Sequence, residues 1–217
     1  MRVVFMGTPE FAVPSLEHLM LNQYPVVAVY TQPDKAAGRG RSLIFSAVKR
    51  AALTWSLPVL QPASFKEAAA VTELTGFGPD VIVVAAFGQI LPQSVLDIPA
   101  HGCLNIHPSL LPKFRGASPI TAAILAGSEF TGVSIMLMER GLDSGPVLAR
   151  AQIPISVRDT TASLTARLSR LGAQLLLEVL LVGLRVSFLP DLKMRPRLPI
   201  VLPLLRRKVR LIGISQR

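Results

Sequence analysis

The chain has 217 residues, of which half are hydrophobic and 17% are charged, so it can bury a core and is not a disordered protein. Its single cysteine excludes an internal disulfide and favours a reducing compartment. The first apolar run is too short for a signal peptide. The longest apolar run, residues 175–184, is interrupted by Glu178 and falls short of the roughly 20 residues of a membrane span. These features predict a cytoplasmic protein without a membrane segment.

The net charge of +10 would by itself suggest a nucleic-acid partner. Residues 1–192, however, hold 15 Lys and Arg against 13 Asp and Glu, a net charge of only +2. The last 25 residues contain no acid and supply the other eight positive charges. These are Lys193, Arg195, Arg197, Arg206, Arg207, Lys208, Arg210 and Arg217. Most of the basicity therefore belongs to the tail.

Short apolar strands alternate with helical patterns along the chain. Strands are predicted at residues 2–6, 26–30, 58–60, 81–86, 104–107, 131–138 and 147–155. Helices are predicted after a turn capped by Thr8 or Glu10, over residues 48–55, 66–74 and 117–125, and from Thr160 or Thr161 onward. The first turn lacks the GxGxxG pattern, which weakens a dinucleotide-binding interpretation. The alternation predicts an α/β fold with a Rossmann-like, doubly wound, mainly parallel sheet.

The richest chemistry lies in residues 105–116. The two-residue period of a strand places Asn105 and His107 on one face, and Pro108 and Pro112 force the chain out of the sheet as a fixed loop. An imidazole suits a general base or acid near neutral pH, and an amide beside it suits a developing oxyanion. The competing interpretation is a histidine that only satisfies a turn.

Asp143 is the predicted third member of this site, because a carboxylate can orient an imidazole and its neighbours Gly141 and Gly145 permit close backbone approach. An acidic turn residue is the competing interpretation. Cys103 lies in an apolar run and is expected to be a buried, inert thiol. No residue cluster has metal-ligand spacing, so no metal is expected. No serine sits in a nucleophile elbow, which gives no support to a covalent serine mechanism. The pattern favours acyl or one-carbon transfer without a covalent enzyme intermediate.

Five strings extend this interpretation, because in their order they closely resemble methionyl-tRNA formyltransferases. They are GTPEFAVPSL, TQPDKAAGRGR, VVAAFGQILP, LNIHPSLLPKFRGASPI and GVSIMLMERGLDSGPVL. The resemblance spans roughly residues 1–180, and the NxHPSLLPxxRG run followed by LDSGP is specific for folate-dependent formyltransferases. It implies a formyltransferase-type sheet and transfer of a formyl group from 10-formyltetrahydrofolate to methionyl initiator tRNA in translation initiation.

The resemblance also implies roles for individual residues. Asn105, His107 and Asp143 match the catalytic trio. Two segments match the folate-binding loops, with Phe87 standing where the family usually has Tyr: Ser109, Leu110, Leu111 and Pro112, and Phe87, Gly88, Gln89, Ile90 and Leu91. Arg39, with Arg41 beside it, matches the loop cation that reaches the acceptor end of the tRNA.

The tail follows a different pattern from residue 186 onward. Residues 1–185 are expected to form the catalytic domain, and residues 186–217 an aberrant basic tail in place of the family's linker and OB-like C-terminal domain. Permitted codons for residues 193–215, regrouped by one base, encode a string with the ATY and KEEG…DW signature of that linker. We therefore expect a frameshift between about Glu178 and Val186, in the gene or in its recorded sequence.

Two other functions remain open at the level of sequence. One is a folate-dependent formyltransferase that acts on a small amine of a nucleotide-sugar or a ribonucleotide. The other is a non-catalytic RNA-binding protein that uses the basic tail. A monomer is expected in each case.

Overall fold

The structure is a computed structural model that describes residues 1–37 and 42–187. Within them the chain forms nine strands and six α-helices. The strands are β1 (Val3–Gly7), β2 (Val26–Tyr30), β3 (Lys35–Ala37), β4 (Ser42–Ile44), β5 (Val59–Leu60), β6 (Val81–Ala85), β7 (Cys103–His107), β8 (Phe130–Leu137) and β9 (Val147–Pro154). The helices are α1 (Val13–Leu21), α2 (Ala47–Thr54), α3 (Ala68–Gly76), α4 (Gln93–Leu96), α5 (Pro119–Leu125) and α6 (Thr161–Ser187).

Seven strands form one sheet in the order β5, β2, β1, β6, β7, β8, β9. The first five are parallel, and β8 runs antiparallel to both β7 and β9. The predicted doubly wound, mainly parallel α/β sheet is therefore confirmed. The string TQPDKAAGRGR, residues 31–41, indicates a loop in the sequence, but its residues Lys35–Ala37 form β3, which pairs with β4 in a separate antiparallel hairpin.

The sheet has a core on each face. Along β1, Val3 and Phe5 face one core while Val4 and Met6 face the other, as the two-residue period requires. Helices α1, α2, α5 and α6 contribute to the first core, and α3 and α4 to the second. All residues of β1 and β6 are buried, which explains their continuous apolar sequence.

Helix α6 begins as predicted. The Thr160 hydroxyl accepts from the Ser163 N–H at 3.2 Å, and the Ser163 hydroxyl accepts from the Thr160 N–H at 3.0 Å, which forms a reciprocal cap. Its predicted apolar face packs on the first core through Leu164, Leu168, Leu171 and Leu175. The helix continues to Ser187, two residues past the predicted end of the catalytic domain. Residues 188–217, which hold the basic tail, lie outside the described residues.

One local prediction was wrong, and one short helix was not predicted. Thr8 and Glu10 do not cap a helix, since a 3-10 turn at Glu10–Ala12 precedes α1 and neither the turn nor α1 has a side-chain cap. The Thr8 hydroxyl donates instead to the Phe87 carbonyl at 2.9 Å. The four-residue helix α4 was missed, since it is too short to show a helical period. In the part of the chain that the structure describes, no helix has the length and apolarity needed to cross a membrane.

Asp159 ties the loop before α6 to the helix. Its carboxylate accepts from the Ser156 N–H at 2.8 Å, the Ser163 hydroxyl at 2.7 Å and Arg167 Nη1 at 2.6 Å. These hydrogen bonds, the one from Ser156 foremost, hold the pKa of Asp159 below its usual range.

We predict that Asp159→Asn lowers the unfolding midpoint at pH 7 and flattens its dependence on pH. Because the folded-state pKa is lowered, the carboxylate stabilises the fold above the unfolded pKa of about 3.9 and loses this effect as the pH falls through the folded pKa. Thermal unfolding followed by circular dichroism between about pH 7 and 3 measures both effects. An unchanged pH slope in the variant would contradict the assignment.

Candidate active site

Strand β7 and the loop after β8 bring three polar side chains together. Asn105 and His107 lie on one face of β7, and Asp143 approaches them from the loop of residues 138–146. Asp143 Oδ1 accepts from Asn105 Nδ2 at 3.4 Å, and Asp143 Oδ2 lies 3.7 Å from His107 Nδ1. Of the three predicted catalytic residues, Asp143 therefore lies next to both Asn105 and His107.

The path of this loop follows from strand direction. Because β8 is antiparallel to β7, it ends beside the start of β7, where the Met138 N–H donates to the Cys103 carbonyl at 2.7 Å. The loop must then turn back along β7 to bring Asp143 to His107. A Cβ on Gly145 would lie 2.0 Å from the Leu137 carbonyl oxygen, so the return is possible only with glycine there.

The surroundings of His107 fix which ring nitrogen can act. The ring is 5% exposed, and its Nε2 lies 3.1 Å from the Phe114 carbonyl oxygen. Since a carbonyl oxygen only accepts, the neutral ring carries its hydrogen on Nε2, which leaves Nδ1 free to take a proton. Nδ1 is also the nitrogen that faces the Asp143 carboxylate.

Asp143 is itself held in place by the loop that follows β7. Its Oδ2 accepts from the Gly116 N–H at 2.9 Å. Three non-glycine residues around the site have positive φ angles: Ala86 (46°), Phe114 (55°) and Asp143 (47°). Such conformations cost of order 1 kcal/mol or more each and persist where the surrounding contacts hold them. The site is therefore assembled from constrained turns before any ligand binds.

The predicted folate segment after His107 is largely an internal support. The Ser109 hydroxyl donates to the Lys113 carbonyl at 2.6 Å, and the buried Ser134 hydroxyl donates to the Ser109 carbonyl at 2.7 Å and accepts from the Leu111 N–H at 3.0 Å. Ser109 and Leu111 are buried, while Leu110 is half-buried and Pro112 is exposed. Sequence reasoning missed Ser134, although it is a polar residue inside an apolar strand.

The second predicted folate segment, residues 87–91 after β6, also has some side chains in the interior and others in solvent. The Phe87 ring packs 6.1 Å from that of Phe65 in the second core, and Leu91 is buried there too. The Gln89 side-chain amide donates to the Pro62 carbonyl at 2.9 Å. Gly88 and Ile90 face solvent, with Ile90 92% exposed.

A cavity of about 410 Å³ lies between α4 and the start of the loop that carries Asp143. None of its wall residues was predicted from the sequence. They are Gln93, Leu96, Asp97, Gly102, Leu137, Met138, Glu139, Arg140 and Gly141. They meet only because β8 reverses direction, which no local pattern reveals. Leu110 lines a different cleft, of about 390 Å³, with Lys113, Phe114 and Gln152.

Three other predictions concern Cys103, metal binding and the contacts to tRNA. Cys103 is buried, and burial raises the pKa of its thiol to about 12, in keeping with an inert thiol. Within residues 1–37 and 42–187, no group of His, Cys, Asp and Glu is arranged to hold a metal ion. Arg39 and Arg41, the predicted tRNA contacts, lie outside the described residues, and only the two hairpin strands that flank them are described.

The chain matches the formyl transferase family over residues 1–180. Among curated relatives, the methionyl-tRNA formyltransferase of Dehalococcoides mccartyi is 55% identical over 180 residues, which are 83% of this chain and 58% of that protein. The methionyl-tRNA formyltransferase of Ruegeria pomeroyi is 51% identical over 197 residues, which are 91% of this chain and 64% of that protein. The chain thus spans less than two thirds of the length of the relatives it matches.

The fold is shared with solved structures. The phosphoribosylglycinamide formyltransferase from Bacillus halodurans has a TM-score of 0.72 and 24% identity, covering 86% of this chain and 97% of that one. A formyltetrahydrofolate deformylase from Pseudomonas syringae pv. tomato has a TM-score of 0.69 and 26% identity, covering 85% of this chain and 61% of that one. Since the family match extends over residues 1–180 of 217, the chain belongs to the formyl transferase family.

Proposed function

We propose that this chain transfers a formyl group from 10-formyltetrahydrofolate to the amino group of methionine on initiator tRNA, as a cytoplasmic monomer. Curated relatives named methionyl-tRNA formyltransferase, 51–55% identical to the chain, support this proposal. The observation that carries the proposal is the convergence of Asn105, His107 and Asp143 on one face of β7.

The three side chains divide the chemistry among them. 10-Formyltetrahydrofolate supplies the formyl group, whose carbon the amine attacks. Asn105 donates from Nδ2 to the formyl oxygen as negative charge develops on it. His107 takes the amine proton on Nδ1, and Asp143 stabilises the imidazolium that results. When the bond from the formyl carbon to the folate nitrogen breaks, a proton returns to that nitrogen, so that atoms and charges balance.

We assign the pterin ring of the folate to the 410 Å³ cavity beside α4. Leu96, Leu137 and Met138 offer apolar walls for a flat ring, and the carboxylates of Asp97 and Glu139 can accept from its amino and ring N–H groups. The segments Ser109 to Pro112 and Phe87 to Leu91 stay the predicted supports of the remaining folate, through their exposed parts and backbone.

Arg39 and Arg41 are the proposed contacts to the tRNA, since cations neutralise phosphates and supply much of nucleic-acid affinity. The proposed division at residues 185 and 186 separates this catalytic unit from the tail. Sequencing the DNA across codons 175–195 tests the proposed frameshift. A single reading frame whose downstream bases encode no DW-containing linker would refute it.

We predict that His107→Ala lowers the formylation rate of methionyl-tRNA about 10²- to 10⁴-fold, because the amine loses its base. Asn105→Ala should lower it about 10²- to 10³-fold through loss of the oxyanion donor. Rates at saturating substrates, measured with radiolabelled methionine, check both. His101→Ala is the matched control, since His101 is exposed in the turn before β7, at the other end of the strand from His107.

The same assay separates the competing functions. A chain that formylates phosphoribosylglycinamide or an amino sugar nucleotide, and not methionyl-tRNA, would belong to the small-amine class. An RNA-binding protein without catalysis would keep its RNA affinity in the His107→Ala variant and lose it on removal of residues 186–217.

We predict that Met138→Trp raises the KM for 10-formyltetrahydrofolate about tenfold or more, because the larger side chain fills the cavity assigned to the pterin. Val157→Trp is the control and should leave this KM unchanged, because Val157 is fully exposed in the turn before α6 and lines neither the 410 Å³ cavity nor the 390 Å³ cleft. Steady-state kinetics with varied folate measures both. Equal KM values for the two variants would remove the cavity from the proposal.

A further inference from the structure

Lys49 contacts the residues at both ends of the β3 and β4 hairpin. The Lys49 ammonium, on α2, donates to the carboxylate of Asp34, the residue before β3. It also lies 4.1 Å from the centre of the Phe45 ring, directly after β4. A single cation thus joins the entry and the exit of residues 35–44 to a helix of the domain.

The ion pair is shielded and fully engaged. The side chains of Lys49 and Asp34 are only 15% and 14% exposed. Gln61 completes the group, since its Oε1 accepts from Lys49 Nζ at 2.7 Å and its Nε2 donates to Asp34 Oδ1 at 3.0 Å. The hydrogen bonds from Lys49 and then from Gln61 hold the pKa of Asp34 below its usual range. Because desolvation of the two charges offsets their attraction, such a shielded pair adds little to the stability of the fold.

The same group reaches the loop after β6. Gln61 Nε2 donates to the Gln32 carbonyl at 2.8 Å, and Gln32 Nε2 donates to the Phe87 carbonyl at 3.3 Å. The Thr8 hydroxyl donates to that carbonyl as well and accepts from the Gln32 N–H at 3.2 Å. Hydrogen bonds therefore connect the hairpin base with the ends of β1 and β6.

We propose that Lys49, Asp34 and Gln61 are positioning residues that set the direction of the β3 and β4 hairpin for the RNA substrate. This inference rests on the proposed function. The Lys49 charge is neutralised by Asp34 within the protein, so Lys49 acts through the hairpin and does not bind a phosphate. Removing the Lys49 ammonium releases both hairpin ends from α2, and removing the Asp34 carboxylate releases the end at β3.

The sign of the effect separates positioning from simple electrostatics. If Lys49 attracted RNA by its charge, Lys49→Met would weaken binding and Asp34→Asn would strengthen it. Positioning requires both variants to weaken it. The double variant should be no worse than either single one, since partners of one interaction act as a unit. Glu10→Gln and Arg158→Met are the controls, because each removes one charge from an exposed side chain, Glu10 being 76% exposed and Arg158 lying in the turn before α6.

Two measurements on the full chain test the proposal. We expect trypsin to cut at Lys35, Arg39 or Arg41 about tenfold faster in Asp34→Asn and Lys49→Met than in the wild type and controls. We also expect about a tenfold rise in KM for methionyl-tRNA, with the effect on KM rather than on kcat and no change in KM for folate. Thermal unfolding verifies that each variant is folded.

Each outcome decides one question. Opposite KM changes in the two single variants would overturn positioning in favour of a direct charge effect. Unchanged cleavage rates in both would show that the pair does not hold the hairpin. A wild-type chain that formylates no methionyl-tRNA would refute the proposed function, while the cleavage rates would still decide whether the pair anchors the hairpin.

Discussion

The candidate active site depends on the path that the chain takes after β8. Five parallel strands deliver their loops to one edge of the sheet, the edge at which β7 ends with His107. The antiparallel β8 ends instead beside the start of β7, so its loop returns along the strand and meets Asn105 and His107 from the side. The same return path forms one wall of the cavity next to α4.

The loop that carries Asp143 must be held rigidly, since a flexible loop would not keep its carboxylate 3.7 Å from the His107 imidazole. Rigidity comes from polar groups that support backbone, with the Ser134 hydroxyl between two loop residues and the Gly116 N–H on Asp143. Apolar burial on both faces of β1 and β6 holds the strands beneath. The proposed catalytic residues and the supporting residues thus alternate along the same short segments, which fits electrostatic preorganisation.

Much of this could be predicted from the sequence, for identifiable reasons. The unbroken apolar run of β6 and the alternation of strands and helices were enough for the fold, and the two-residue period placed Asn105 and His107 on one face. What could not be predicted depends on contacts distant in sequence. The direction of β8, the cavity walls and the use of Thr8 as a brace between strands leave no local period. Phe87 and Ser109 carry a family signature, yet their side chains serve the interior.

Cys103 offers a view of how steady this scaffold is. Its thiol sits on β7 two residues before Asn105, buried and with its pKa raised to about 12. The thiolate is the reactive form of cysteine, so Cys103 does not react with alkylating reagents while β7 is paired with its neighbours. The rate at which Cys103 is labelled would then report how often β7 separates from the neighbouring strands. This native thiol can therefore serve, without any introduced probe, as a reporter of local opening at the strand that carries Asn105 and His107.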